Sequence, residues 1–199
     1  MTFSVRRVTV LAVLAASALS PVAAQATDAP DRAAGIVVDV VDMAFARPSA
    51  RVPLGGTVTW RFGDSMAHSS TSDSGFWDSG LQSGGDTWSW AFTSAGSFGY
   101  FCTTHDDMRG RVQVRPTATG TPTAGYTVRW ARKRTSGTAV DVQVRTGSGR
   151  WRTWLANTSS LGGRFDRAGT ATWKIRARTR NATTRAVSGW SPAIKVAVR

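Results

Sequence analysis

The sequence predicts an all-β protein built as two successive β-sandwiches. Three observations carry this. Beyond residue 34, apolar and polar residues alternate with a period of two, and an apolar period of 3.6 is almost absent. Short runs rich in Val, Ile, Thr, Trp and Phe are separated by Gly, Ser, Asp and Pro. The charge changes character midway: residues 35–115 carry six Arg against eight Asp, a net of −2, whereas residues 116–199 carry thirteen Arg and three Lys against two Asp, a net of +14.

In chain order, residues 1–26 read as a secretory signal peptide. Arg6 and Arg7 give a positive start, and the apolar run Val8–Leu19 is too short to span a bilayer. Small-residue patterns place cleavage near Ala24 or Ala26. The paired arginines suit either the general secretory or the twin-arginine route. Residues 27–34 form a short tail. No later stretch is apolar enough to anchor the chain. The mature protein, near +11 of the formal +13, is therefore expected to be secreted or held in the periplasm or cell envelope.

Residues 35–115 hold the expected strands of the first sandwich: "GIVVDVV", "TVTWRF", "DTWSWAF", "GSFGYFC" and "GRVQV". The Pro/Thr/Gly stretch at 116–124 reads as a connector. Residues 125–199 alternate more cleanly. Tyr126, Val128 and Trp130 share one face, as do Val140, Val142 and Val144, and then Trp173, Ile175 and Ala177. Such spacing describes an antiparallel sandwich.

The chemistry gathers in "YFCTTHDDMRGRVQV". Cys102 is the only cysteine and His105 one of two histidines, with Met108 at the same three-residue step. A lone cysteine in an exported chain cannot form an internal disulfide, and metal ligation is one way to keep its thiolate. Thiolate, imidazole and thioether together suit copper better than calcium or magnesium. His68, the other histidine, completes a trigonal His₂Cys set with a weak axial Met. Zinc is the rival metal. Met serves zinc poorly, and a closed zinc site would recruit another ligand, for which Asp106 is the candidate.

These residues carry a family resemblance. "GGTVTW", His68 soon after it, "GSFGYFC" and "CTTHDDMRGRVQV" with its closing Met-x-Gly-x-Val are similar to the small blue-copper cupredoxins of the plastocyanin, amicyanin and pseudoazurin type. The short Cys-x-x-His-x-x-Met loop resembles that of amicyanin. The resemblance implies a Greek-key β-sandwich and one type 1 copper held by His68, Cys102, His105 and Met108. It also implies one-electron transfer with a redox partner protein. His68 is then expected to be buried and His105 to present its edge at the surface. Ser69 stands where the family often has Asn, so its amide or hydroxyl is the candidate contact to the thiolate. Asp106 and Asp107 replace apolar or proline residues, and their charge should favour the oxidised site and lower its potential.

An enzyme is not expected. Two histidines cannot build a trinuclear copper cluster, neither cleavage site leaves an N-terminal His, and the chain has no Glu. The competing function is a non-redox copper-binding or envelope-binding adhesion module.

"YTVRW", "VDVQVR", "WRTWL", "TWKIRARTRN" and "SGWSPAIKV" in residues 125–199 resemble a fibronectin type III domain, or more broadly an immunoglobulin-like sandwich, with its first strand short or missing. Lys174, Arg176, Arg178 and Arg180 lie on one side of a strand and form the candidate polyanion face. The expected partner there is an anionic cell-envelope polymer or membrane surface, or an acidic redox partner, and not nucleic acid. Trp151, Trp154 and Trp190 are expected in the core or on a glycan platform.

Overall fold

A computed structural model describes Met1 and residues 35–199, and the expected signal peptide and tail otherwise lie outside the described residues. Among the described residues every regular element is a strand, and no helix is long and apolar enough to cross a membrane.

The first eight strands are β1 (Ile36–Val41), β2 (Ala44–Phe45), β3 (Ser49–Val52), β4 (Thr57–Phe62), β5 (Thr71–Ser72), β6 (Thr87–Ala91), β7 (Gly96–Phe101) and β8 (Arg109–Val114). They form two sheets, ordered β2-β1-β4-β6 and β3-β8-β7-β5. Two pairs, β1 with β4 and β3 with β8, run parallel, which sends the chain from one sheet to the other.

Alternation explains the core. In β4, Val58, Trp60 and Phe62 are buried while the residues between them are not. Trp60 is fully buried and packs within 5.4–5.9 Å, ring to ring, of Trp77, Trp88 and Tyr100. Truncating such a side chain to Ala typically costs roughly 3–5 kcal/mol. Gly110 is needed where β8 passes β7, because a Cβ there would overlap the Tyr100 ring.

The remaining strands are β9 (Thr117–Thr121), β10 (Gly125–Arg129), β11 (Thr138–Thr146), β12 (Arg152–Thr158), β13 (Gly162–Phe165), β14 (Ala171–Asn181) and β15 (Ile194–Val198). They form a three-stranded sheet, β13-β10-β9, and a four-stranded sheet, β12-β11-β14-β15. Trp130, Trp154, Phe165 and Trp173 interlock edge to face within this second sandwich.

The stretch 116–124 is not merely a connector. Five of its residues form β9, paired with β10 from Thr117↔Arg129 to Thr121↔Gly125. Strand β9 is mostly exposed and has no apolar alternation, and backbone pairing holds it.

The second sandwich rests on the strand that delivers Cys102. Ser97 and Gly189 exchange both backbone hydrogen bonds, at 2.9 and 2.8 Å. The Ala95 amide donates to Trp130 O, and Thr179 Oγ1 donates to Ala95 O. The Asn181 side-chain amide donates to Gly75 O at 2.9 Å.

Candidate metal centre

Two loops at one end of the first sandwich build the site. The loop after β4 carries Asp64, His68 and Ser69, and the loop between β7 and β8 carries Cys102, Thr104, His105 and Met108. Backbone pairing fixes the first loop: the His68 amide donates to Gln82 O at 2.9 Å, and the Gln82 amide returns the bond at 2.8 Å. The second loop closes on itself. The Cys102 amide donates to Met108 O at 3.0 Å, and the Met108 amide to His105 O at 3.1 Å. The three-residue steps between Cys102, His105 and Met108 thus become two turns around one point.

The ligand atoms of His68, Cys102 and His105 all lie within 4.8 Å of one another. Cys102 Sγ is 3.9 Å from His68 Nδ1 and 3.6 Å from His105 Nδ1. His68 and Cys102 are buried, as is Met108, while His105 is partly exposed. Asp106 and Asp107 are exposed, and neither belongs to this cluster. The carboxylate that a four-coordinate zinc site would recruit is thus not among the close ligand atoms. One thiolate, two imidazole nitrogens and a buried thioether residue in the same loop fit copper.

Hydrogen bonds prepare the thiolate. Burial by itself pushes the Cys102 thiol upward, but the Thr104 hydroxyl, the Ser69 amide and the Thr104 amide outweigh it and hold the thiol at about 6, against an ordinary 9.0. The Ser69 amide donates to Sγ at 3.3 Å. The Thr104 hydroxyl stands 3.1 Å from Sγ, 2.8 Å from Ala67 O and 3.3 Å from His105 Nδ1, so its one proton has several claimants. The backbone amides are the steady donors. The Ser69 hydroxyl serves elsewhere, accepting from the Thr103 amide at 3.0 Å and tying the two loops together.

Asp64, which the sequence alone does not single out, stands against the candidate ligand His68. Its carboxylate oxygens lie 3.0 and 3.2 Å from His68 Nε2. The Nε2–H donates to that carboxylate, which leaves the Nδ1 lone pair aimed at the cluster. Asp64 also accepts from the Asp42 and Met66 amides, at 2.8 and 3.0 Å. Burial pushes its carboxyl upward, but the Met66 amide, the His68 ring and the Asp42 amide together bring it below the ordinary carboxylate value. The available signal was an acid four residues before the buried histidine, visible only once the loop is known to curl back.

The candidate polyanion face differs from a row of free cations. Asp141 lies opposite it on β11, nearly buried, and pairs with Arg178 and Arg180, each at 2.8 Å. Arg176 lies between the Trp151 and Trp190 rings, 4.0 and 4.6 Å from their centroids, and donates to Gln143. Trp151 and Trp190 therefore cover Arg176, and Trp154 packs with the core rings.

Comparison with known proteins agrees with this centre. A family described as copper binding proteins, plastocyanin/azurin family, matches residues 33–115. Amicyanin of Paracoccus denitrificans is 36% identical over 84 residues, covering 40% of this chain and 64% of that protein. Amicyanin of Paracoccus versutus is 33% identical over 99 residues, covering 47% of this chain and 72% of that protein. A solved structure of a proline-to-glycine variant of amicyanin, in its reduced Cu(I) form at pH 4, aligns at 34% identity and a TM-score of 0.39, covering 40% of this chain and 81% of that one. Through residues 33–115, the chain belongs to the plastocyanin/azurin family of copper-binding proteins.

Proposed function

We propose that this chain is an exported blue-copper electron carrier, not an enzyme, whose copper would be held by His68, Cys102, His105 and Met108. The observation that supports it most is the convergence of a thiolate and two imidazoles within 4.8 Å on loops already held by hydrogen bonds. A bound copper would supply one-electron exchange between Cu(I) and Cu(II). The protein's own residues do the rest. Asp64 fixes the His68 tautomer, and the Ser69 amide stabilises thiolate charge. The preset loops limit reorganisation, and partly exposed His105 is the port to a partner protein.

Residues 125–199, with β9 before them, form a fibronectin type III-like domain in this reading. Its three-plus-four sheets, with strand orders β13-β10-β9 and β12-β11-β14-β15, match that sandwich type. Its excess positive charge localises the carrier on an anionic cell-envelope polymer. The signal peptide at 1–26 delivers it there.

The test is a titration of the protein with Cu(II). An intense blue thiolate-to-copper band and a reversible one-electron wave are expected, and Cys102→Ala should abolish the band. Stoichiometric binding without colour would sink the electron-carrier reading.

A further inference from the structure

Positive charge of the second sandwich without an ion pair also lies away from β14. Residues 116–199 contain two carboxylates, and both are committed: Asp141 to Arg178 and Arg180, and Asp166 to Arg164 at 3.5 Å. Arg129, Lys133 and Arg134, on β10 and the loop after it, are exposed and have no ion-pair partner among the described residues. Arg129, Arg134 and Arg164 line an open cavity of about 420 Å³ whose wall includes the Gly162–Gly163 backbone and no carboxylate. Arg134, Ser160 and Leu161 also wall a second cavity of about 270 Å³, edged by Lys133 and a series of Ser and Thr hydroxyls. That cavity shares Thr135, Ser136 and Thr138 with a third, of about 220 Å³, whose aromatic wall includes Trp90. Trp90 is 37% exposed and stacks nearly parallel on Trp88, with 12° between the planes.

The chemistry along these cavities changes in a definite order. Guanidinium forks, which take carboxylate, sulfate or phosphate oxygens in pairs, come first. Hydroxyls follow, and then a rigid indole face that can stack on the C–H face of a sugar ring. We propose that this groove, from Arg129 past Arg134 to Trp90, binds an acidic polysaccharide. Its anionic groups sit on the arginines and a sugar ring sits on Trp90. The site rests on the localisation reading above and gives it a surface and a ligand class. It also spans both sandwiches, so a bound chain runs beside the sandwich that carries the copper loop.

The test measures binding of the full chain to polygalacturonate at low salt, with inorganic polyphosphate and anionic phosphatidylglycerol vesicles as comparison probes. Arg129→Gln with Arg134→Gln should weaken polygalacturonate binding by roughly tenfold or more, as expected for losing charge-assisted hydrogen bonds. Arg150→Gln with Arg152→Gln removes the same charge from exposed positions elsewhere and should leave most of the affinity. Trp90→Ala should weaken polygalacturonate but not polyphosphate, and Trp90→Phe should restore much of the loss. Equal weakening by both double variants, an unaffected Trp90→Ala, or binding to vesicles alone overturns the site and leaves localisation standing. No binding to any probe overturns both.

Discussion

In copper-free protein, Cys102 should contribute more stability at pH 9 than at pH 6. Its thiol is held at about 6 in the folded chain, against an ordinary 9.0. That difference corresponds to about 4 kcal/mol of preference for the thiolate in the folded state. Because the folded value lies below the unfolded one, the stabilisation is fully present above pH 9. It fades as the pH falls from 9 towards 6, and is absent below the folded value. Urea unfolding of the chelator-treated, reduced protein at both ends of this range tests it, with Cys102→Ala measured alongside. The stability difference between wild type and variant should grow towards high pH by up to about 4 kcal/mol, and the ultraviolet thiolate absorbance should titrate near the folded value. A difference independent of pH, or a thiol titrating at or above its ordinary value, would refute the reasoning. Burial would then outweigh the amide and hydroxyl donors, and the loops would not be preset for a thiolate.

Asp64→Ala should lower copper affinity by roughly 10–100-fold, measured by competition with a chelator, because His68 loses the acceptor that orients its ring. Asp64→Asn keeps an acceptor but removes the charge, so the potential should rise by roughly 60 mV, a factor of ten in a one-electron equilibrium, in a redox titration. Asp106→Asn should also raise the potential, but by less, and added salt should shrink that change because Asp106 is exposed. Asp141→Ala should destabilise the protein by roughly 2–3 kcal/mol in urea unfolding, since it strands Arg178 and Arg180, which are only partly covered. In wild type, burial raises the Asp141 carboxyl, but Arg180, the Asn157 amide and Arg178 more than offset it. Its contribution is therefore present above the ordinary carboxylate value and lost as the pH falls through the lowered folded value.

Much of the site was legible because its parts are local or scarce. Cys102, His105 and Met108 sit at equal steps in one loop, and His68 was the sole remaining imidazole. Composition therefore named the soft ligand set before any geometry. The first sandwich was legible through strands such as β4, whose alternate residues reach the core. Strand β9 was not, because backbone pairing with β10 holds it and its threonines carry no apolar period. Asp64 was not either, because an acid four residues from a histidine means nothing until the loop turns its carboxylate onto Nε2.

The electrostatics divide in the same way. Sequence alone determines how much charge each half carries, since that is a sum over residues. It does not determine which charges are free, because neutralisation depends on distance in space. Asp141 lies some 37 residues from Arg178 in the chain yet 2.8 Å from it in the fold. Trp151 and Trp190 close over Arg176 from either side of it in the sequence. The sequence thus determined the candidate ligand types, their order and the basic excess. Only the tertiary structure decided that Ser69 offers its amide to Cys102, that Asp64 orients His68, and that Arg178 and Arg180 share a carboxylate while Arg129 and Arg134 line an open cavity without one.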